Sequence, residues 1–271
     1  MQPKRITFIG GGNMAQAIVF GLLKQNYPAD KITVCDPNQE KRDLFAQRGV
    51  QVAEDNIAAV KGAEVVLLAV KPQVIAQVCH ALSAVDFSAK LVISIAAAIS
   101  VSRLTALLPS ANQIVRVMPN TPALVSCGMA GLYAPASVSA EYKQLAENLL
   151  NAVGETCWVE NEDQMHAVTA ASGSSPAYFF LFMEAMQKAL LDMELDETTA
   201  RHLVQQSALG AAKMVIENPQ VDLATLRQNV TSKGGTTAAA IHIFQQHELM
   251  ETVQQAMQAC VARSQEMETL F

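Results

Sequence analysis

The stretch Ile6-Thr7-Phe8-Ile9-Gly10-Gly11-Gly12-Asn13-Met14-Ala15 decides the fold. Its apolar and β-branched residues predict a strand over 4–9, and the segment Asn13–Lys24 is typical of a helix. Between the two stands the pattern G-x-G-x-x-A. A glycine-rich turn that leads from a strand into a helix predicts a binding site for a dinucleotide.

Each position of this pattern has a physical role. Gly10 permits the tight turn, Gly12 lets the backbone approach a diphosphate, and Ala15 lets the helix pack closely on the strand. We expect free N–H groups of Gly11, Asn13 and Met14 to face the anion at the positive end of the helix.

The first half of the chain continues as alternating β-rich and helical segments. Residues 31–35 predict a second strand and residues 38–48 a second helix. Residues 64–70 form a continuous apolar run, typical of a strand that is covered on both faces, and residues 91–95 and 113–117 repeat it. The alternation predicts an α/β fold of Rossmann-like, doubly wound type, with a parallel sheet between two layers of helices.

The pattern changes near residue 137. Beyond it we expect one short strand, over 156–159, and otherwise helices, two of which begin near Pro176 and Asp196. The segment Ser207–Ala212 is small and apolar, and a helix apolar on several faces must be buried on several faces. We therefore expect a dinucleotide-binding domain over 1–159 and an all-helical domain over 160–271 that forms a homodimer.

Composition limits the possible partners. The chain has 271 residues, of which 51% are apolar and 16% charged, and its net charge is −6. An acidic chain without basic runs is a poor ligand for nucleic acid or for anionic membranes. The five cysteines are odd in number, widely spaced and without C-x-x-C, which favours a reducing compartment and no metal site. The apolar stretch after Lys4 and Arg5 is interrupted by glycines, so we expect a cytoplasmic protein without a signal peptide.

Asp36 follows the second strand and has two interpretations. An acidic residue at this place binds a ribose 2′-hydroxyl in enzymes that use NAD. Followed by Pro37 and Gln39, it also resembles a helix N-cap. Lys41 and Arg42 lie close enough in sequence to accept a 2′-phosphate, so the choice between NADPH and NADH stays open.

Three strand ends predict further ligand contacts, because ligands of such sheets lie beyond the carboxyl ends of the strands. The first is Ala69-Val70-Lys71-Pro72-Gln73, the second Ser94-Ile95-Ala96-Ala97-Ala98, and the third Arg116-Val117-Met118-Pro119-Asn120-Thr121-Pro122. Two prolines around Asn120 fix a rigid loop that suits the positioning of a nicotinamide ring. Ala69, Pro72 and Asn120 are therefore candidate cofactor contacts.

Together these segments resemble the pyrroline-5-carboxylate reductase family. Ser172-Gly173-Ser174-Ser175-Pro176-Ala177-Tyr178 is similar to the family's S-G-S-G-P-A-Y, and Val230-Thr231-Ser232-Lys233-Gly234-Gly235-Thr236-Thr237-Ala238 to its C-terminal signature. The resemblance runs from about residue 5 to 265. Ser175 replaces the usual glycine and Lys233 stands where proline is common, and both changes concern local loop geometry.

The resemblance implies the reduction of the cyclic imine pyrroline-5-carboxylate to L-proline by NADPH or NADH. It also implies that the helical domain over 160–271 binds the substrate and forms the dimer, with a higher ring of dimers as a further assembly. Matched by position, the candidate cofactor contacts are Asn56, Val70, Lys71, Ala97 and Asn229. The candidate substrate contacts are Glu162, Thr236 and Thr237.

The residues themselves suggest how such a substrate is held. Ser232, Gly234 and Gly235 form a loop that leads into a helix over 236–247, whose free N–H groups suit a carboxylate. The Thr237 hydroxyl is the candidate catalytic group, since it can hydrogen-bond to the ring nitrogen. A protonated imine is already electrophilic, so we expect no histidine general acid; the five histidines also lack metal-ligand spacing.

Other functions remain open. A β-hydroxyacid dehydrogenase also pairs a dinucleotide domain with a helical domain, but no lysine here has asparagine four residues later, as that family's catalytic helix requires. An imine reductase with another substrate is harder to distinguish. A catalytically silent NAD(P)-sensing protein would keep Gly10–Ala15 without needing Gly234–Thr237.

Overall fold

The computed structural model describes residues 2–270, which form eight strands and twelve α-helices. The strands are β1 (Ile6–Ile9), β2 (Ile32–Cys35), β3 (Gln51–Ala53), β4 (Val65–Leu68), β5 (Leu91–Ser94), β6 (Ile114–Met118), β7 (Gly128–Tyr133) and β8 (Gly154–Trp158). The helices are α1 (Asn13–Lys24), α2 (Gln39–Ala46), α3 (Asn56–Lys61), α4 (Pro72–Ala81), α5 (Val101–Leu107), α6 (Ala140–Leu150), α7 (Gln164–Val168), α8 (Ser175–Asp192), α9 (Glu197–Glu217), α10 (Leu223–Asn229), α11 (Thr236–Gln246) and α12 (Leu249–Leu270). A π-helical turn, Thr169–Gly173, joins α7 to α8.

All strands belong to one sheet, in the order β3-β2-β1-β4-β5-β6-β7-β8. Neighbours pair in parallel except β6 and β7, which are antiparallel. The prediction of a doubly wound sheet is confirmed. The parallel pairing is interrupted once, because β7, which the sequence analysis missed, turns back along β6.

The sheet is covered on both faces, as the apolar runs predict. In β4, Val65 and Leu67 pack into the cluster that includes residues of α1 and α6, whereas Val66 and Leu68 pack into the cluster of α4 and α5. All four side chains are fully buried. Each such burial stabilises the fold by about 1.5–3 kcal/mol relative to exposure, so the central strands anchor the turns at their ends.

The second half is helical, as predicted. Pro176 is the second residue of α8, and the Asp196 carboxylate caps α9 by accepting a hydrogen bond from Thr199 N at 3.0 Å. Among residues 177–258, only Ala200 and Val204 are buried apolar side chains, whereas Phe179, Phe180, Leu209 and many others are exposed. Exposed apolar side chains in this number mark an interaction site.

The described residues divide into two compact units. The first unit comprises residues 2–176 and 259–270, and the second unit residues 177–258. These units do not coincide with the expected boundary at 159, because residues after 160 pack on the sheet, where Met165 and Ala170 are buried. The division by function, at residue 159, stays a prediction. Of the helices within residues 2–270, none combines the length and hydropathy needed to cross a bilayer.

A buried arginine joins the sheet to the end of the chain. Arg116 lies on β6 and is 3% exposed. Its Nη1 atom is 2.9 Å from Glu162 Oε1 and 2.9 Å from Glu268 Oε1. His166 extends this network, with Nε2 2.9 Å from Glu268 Oε2 and Nδ1 2.9 Å from Ser264 Oγ. The last turns of α12 are therefore held to β6 and α7 by charge and hydrogen bonds.

Replacing Arg116 should show how much the network of Arg116, Glu162, Glu268 and His166 contributes to stability. We expect Arg116→Met to lower the free energy of unfolding by about 3 kcal/mol, because it leaves two carboxylates close together without their cation. The measurement is urea unfolding at neutral pH. Lys24→Met, at the exposed end of α1, is the control and should change stability by less than about 0.5 kcal/mol. Equal effects of the two substitutions would contradict the role given to Arg116.

Candidate active site

The turn Gly10–Gly12, here named the glycine turn, has no room for a side chain at its first residue. Gly10 adopts a φ of +102°, and a Cβ atom there would lie 2.5 Å from the carbonyl oxygen of Ala69. Its N–H donates to the carbonyl of Cys35 at 2.7 Å. Gly10 thus packs closely between the ends of β2 and β4, and the predicted tight turn is present.

The other side of the glycine turn is open. A Cβ atom on Gly12 would meet nothing within 4 Å. Gly12 is also the N-cap of α1 and offers no side chain to the N–H groups of Asn13 and Met14. Ala15 is completely buried, so the start of α1 lies close to the sheet. These residues fit a diphosphate, which needs backbone access and free N–H donors at a helix start.

Gly11 does not have the role expected of it. Its N–H donates to Asp36 Oδ2 at 2.8 Å. The expectation that this N–H faces the anion of a ligand is therefore wrong, because the Asp36 carboxylate already accepts its hydrogen bond. Of the three expected donors, Asn13 and Met14 remain.

Asp36 is buried and surrounded by donors. Oδ1 accepts a hydrogen bond from Asn38 N at 2.9 Å, and Lys41 Nζ lies 3.3 Å from Oδ2. Burial disfavours the charged carboxylate, but the bonds from Gly11 and Asn38 and the Lys41 ammonium outweigh it, so the pKa of Asp36 lies below its ordinary value. A carboxylate bound by several donors stays charged.

The N-cap interpretation of Asp36 is wrong. The helix α2 is capped two residues later by Asn38, whose side chain accepts a hydrogen bond from Lys41 N. Asp36 instead bonds to the N–H two residues ahead, the local pattern that aspartate favours in turns.

The two basic residues on α2 differ in exposure. Arg42 is turned inward, with Nη1 2.6 Å from the carbonyl of Asp36 and Nη2 2.5 Å from Gln39 Oε1. The Lys41 side chain is 44% exposed. Of the two candidates for a 2′-phosphate, Lys41 is the accessible one.

The other predicted cofactor residues of the first unit follow strands at the same edge of the sheet. Ala69 N donates to the carbonyl of Ile9 at 2.8 Å, and Val70 Cγ1 lies 3.1 Å from where a Gly10 Cβ would stand. Lys71 is the N-cap of α4, with Pro72 as its first residue. Ala97 follows β5, and Asn56 begins α3 after β3. The structure therefore brings Gly10, Gly11, Asp36, Ala69 and Val70 into contact and places the rest beyond neighbouring strand ends.

Asn120 acts as a brace in this structure. It is 8% exposed, its Nδ2 donates to the carbonyl of Ser172 at 3.1 Å, and its Oδ1 accepts from Met129 N at 2.8 Å. Ser172 lies in the π-helical turn, in the segment that resembles S-G-S-G-P-A-Y. The carboxamide thus joins the loop after β6 to β7 and to the approach to α8, while its contact with cofactor stays a prediction.

Glu162 is also engaged within the protein. Its Oε1 atom accepts from Arg116 Nη1 at 2.9 Å and from Val101 N at 2.7 Å. It therefore joins β6 to the start of α5. The sequence analysis named Arg116 within a strand end but missed its pairing with Glu162, although a charge inside the apolar strand Ile-Val-Arg-Val-Met signals a buried, paired side chain.

The other predicted substrate residues lie in the second unit. Gly235 N donates to the carbonyl of Ser232 at 3.0 Å, and Gly234 adopts a φ of +73°. Gly235 is the N-cap of α11, and Thr236 and Thr237 are its first two residues, both exposed. We name Ser232–Gly235 the substrate loop. Asn229 ends α10 just before it.

Comparison with known proteins decides the family. The chain is 68% identical to the pyrroline-5-carboxylate reductases of Pasteurella multocida and Haemophilus influenzae, over all of each chain. Residues 162–267 match the family described as pyrroline-5-carboxylate reductase dimerisation. The chain belongs to the pyrroline-5-carboxylate reductase family. Residues 5–98 match a second family, described as NADP oxidoreductase, coenzyme F420-dependent.

Solved structures of pyrroline-5-carboxylate reductases have the same fold. The Coxiella burnetii protein is 42% identical, with a TM-score of 0.92 and 98% of each chain covered. The Plasmodium falciparum protein, solved with NADP bound, is 27% identical, with a TM-score of 0.89 and 99% of each chain covered. The fold class expected from the sequence is thus that of the pyrroline-5-carboxylate reductase family.

The two departures from the family pattern both lie beside helix starts. Ser175 is the first residue of α8, where a helical backbone needs no glycine. Lys233 is exposed in the substrate loop and, unlike proline, adds a backbone N–H there.

Removing the Asn120 carboxamide should test its role as a brace. We expect Asn120→Ala to lower the free energy of unfolding by about 2 kcal/mol, because Met129 N and the Ser172 carbonyl lose their partner. Urea unfolding without cofactor measures this, and Thr121→Ala, at the exposed neighbouring position, is the control. Unchanged stability with weaker NADPH binding would instead make Asn120 a direct cofactor contact.

Proposed function

We propose that this chain reduces pyrroline-5-carboxylate to L-proline with NADPH or NADH. The observation that carries the proposal is that α1 and α11 each begin at a glycine N-cap, Gly12 and Gly235. A glycine N-cap leaves the first N–H groups of the helix available to an anion. One such start suits the diphosphate of a dinucleotide and the other the carboxylate of a small substrate.

The dinucleotide is proposed to bind along the carboxyl edge of the sheet. The reduced nicotinamide supplies the hydride when it is bound. The proposed contacts are Gly10, Gly11, Gly12, Asn13, Met14, Ala15, Asp36, Asn56, Ala69, Val70, Lys71, Pro72, Ala97, Asn120 and Asn229. Among them, Asp36, Gly11 and Asn120 contribute by shaping the site, since their polar groups already have partners within the protein.

The substrate is proposed to bind at the start of α11. The backbone N–H groups of Ser232, Gly234 and Thr236 suit its carboxylate without any arginine, because the helix start carries partial positive charge. Gly235 contributes by shaping the loop, since its N–H already donates to the Ser232 carbonyl. The Thr237 hydroxyl oxygen accepts a hydrogen bond from the protonated ring nitrogen and so orients the C=N bond. Glu162 is a further proposed substrate contact, and its Oε1 is held in place by Arg116.

The reaction then needs little proton transfer from the protein. The ring nitrogen enters protonated, so the carbon of the C=N bond is electrophilic before hydride arrives at it. Addition gives a secondary amine that keeps the same proton. The side chains therefore serve mainly to hold the reactants close and aligned, which lowers the barrier through orientation.

We further propose that the second unit forms the homodimer and that dimers assemble into a ring. The support is the exposed apolar surface of α8, α9 and α11, which is too extensive for a surface that stays in contact with water.

We place the reaction in the cytoplasm. All five cysteines are free, as suits a reducing compartment.

The activity can be measured by absorbance at 340 nm. Purified protein should consume NADPH or NADH only when pyrroline-5-carboxylate is added, and proline should form in equal amount. Binding of either cofactor without any turnover would favour the alternative of an NAD(P)-sensing protein. Turnover with other cyclic imines but not with this one would favour an imine reductase of different specificity.

Thr237 gives the sharpest test within the site. We expect Thr237→Ala to lower kcat by about 100-fold, the effect of losing one well-placed hydrogen bond to the reacting group. Binding of NADPH, followed by nicotinamide fluorescence, should be unchanged. Thr237→Ser keeps the hydroxyl and should restore most of the rate. Equal loss of cofactor affinity in Thr237→Ala would contradict the assignment.

A further inference from the structure

The carboxylate of Asp36 is packed beneath the glycine turn. Its side chain is only 6% exposed. A Cβ atom on Gly11 would lie 3.3 Å from Asp36 Cβ and 3.1 Å from Phe45 Cε2, so the backbone of Gly11 rests directly on these two side chains. The position of the glycine turn is therefore coupled to the position of Asp36.

Both oxygens of this carboxylate have donors from the protein itself. Oδ2 accepts from Gly11 N at 2.8 Å and lies 3.3 Å from Lys41 Nζ, and Oδ1 accepts from Asn38 N at 2.9 Å. Charge-assisted hydrogen bonds of this kind are about twice as strong as neutral ones. An incoming ribose hydroxyl would have to displace a donor or reach a carboxylate that is almost entirely buried.

This arrangement differs from the one in which a strand-end acid selects NADH. There the carboxylate binds the 2′-hydroxyl of the ribose and repels a 2′-phosphate. Here the negative charge is turned toward Gly11 and balanced by Lys41, whose ammonium is the more exposed group of the pair. The negative charge of Asp36, which would otherwise repel a 2′-phosphate, is thus largely neutralised by its own hydrogen bonds and by Lys41.

We propose that Asp36 is a positioning residue that acts on the cofactor through Gly11, and that it does not choose between NADH and NADPH. The proposal rests on the proposed function, since it requires that the glycine turn binds the diphosphate shared by both cofactors. Asp36 fixes the position of Gly11 and so of the glycine turn at the end of β1. The N–H groups of Asn13 and Met14 can then donate hydrogen bonds to the diphosphate.

Binding measurements on Asp36→Asn test the proposal. The isosteric amide places an NH₂ donor against one of the existing donors, so the Gly11 or Asn38 bond is lost. We expect the affinities for NADH and NADPH, measured by nicotinamide fluorescence without substrate, to fall by the same factor of about ten. Their ratio should stay within about twofold of that of the unaltered protein. A selective loss of NADH binding, or a gain in NADPH binding, would overturn the proposal.

Asp43→Asn is the matched control, because Asp43 is an exposed carboxylate on α2, the helix that carries Lys41, and its side chain contacts only Gln39 in the hydrogen bonds of this region. Both affinities should be unchanged in this variant. A general effect of negative charge in the segment 36–46 would lower or raise NADPH binding in both variants alike, and that result would also overturn the proposal.

Hydrogen exchange in the unaltered protein provides a test that needs no variant. The Gly11 amide should be protected before any cofactor is added, because it is bonded to a buried carboxylate. A Gly11 amide that exchanges freely and becomes protected only with NADH would overturn the positioning role. If the protein binds neither cofactor, the proposed function fails, while the protection of Gly11 still decides whether Asp36 holds the turn.

Discussion

The close approach of Gly10 to the end of β4 is the constraint on which the rest of the structure depends. A Cβ atom there would meet the Ala69 carbonyl, and the φ of +102° excludes most other residues. Because the turn is this tight, α1 begins directly above β1, and Ala15 is buried against the sheet. The N–H groups of Gly10 and Gly11 point into the protein, whereas Gly12 is open and leaves the N–H groups of Asn13 and Met14 without a side-chain cap.

Long-range charge pairs then fix the parts that the glycine turn does not reach. Arg116 on β6 pairs with Glu162 and Glu268, and His166 contacts Glu268 and Ser264 through its two ring nitrogens. Asp36 does the same on a smaller scale for Gly11 and Lys41. In both places a buried charge organises backbone segments far apart in sequence, and removing its partner is far more destabilising than removing an exposed pair.

Much of this could be predicted from local sequence, and the exceptions have physical reasons. Strand-to-helix alternation and the apolar run of β4 predicted a doubly wound sheet, and the bounds of α1 were predicted correctly. β7 was missed because Gly-Met-Ala-Gly-Leu-Tyr has two glycines and no β-branched residue, and β3 because it is only three residues long. The capping of α2 by Asn38, the Gly11–Asp36 bond and the bonds of Asn120 depend on tertiary contacts, which no local pattern contains. The sequence motifs predicted which residues lie at the carboxyl ends of the strands. They did not predict which hydrogen bonds those residues form.

The central claim is that the chain transfers a hydride from the cofactor to the C=N carbon of pyrroline-5-carboxylate. Its most direct test uses NADPH that carries deuterium at the transferable C4 position, with pyrroline-5-carboxylate as substrate. Mass spectrometry and NMR of the product should find one deuterium per proline, at the ring carbon that was bonded through C=N. Proline formed without deuterium, or deuterium lost from the cofactor with no proline formed, would contradict the account.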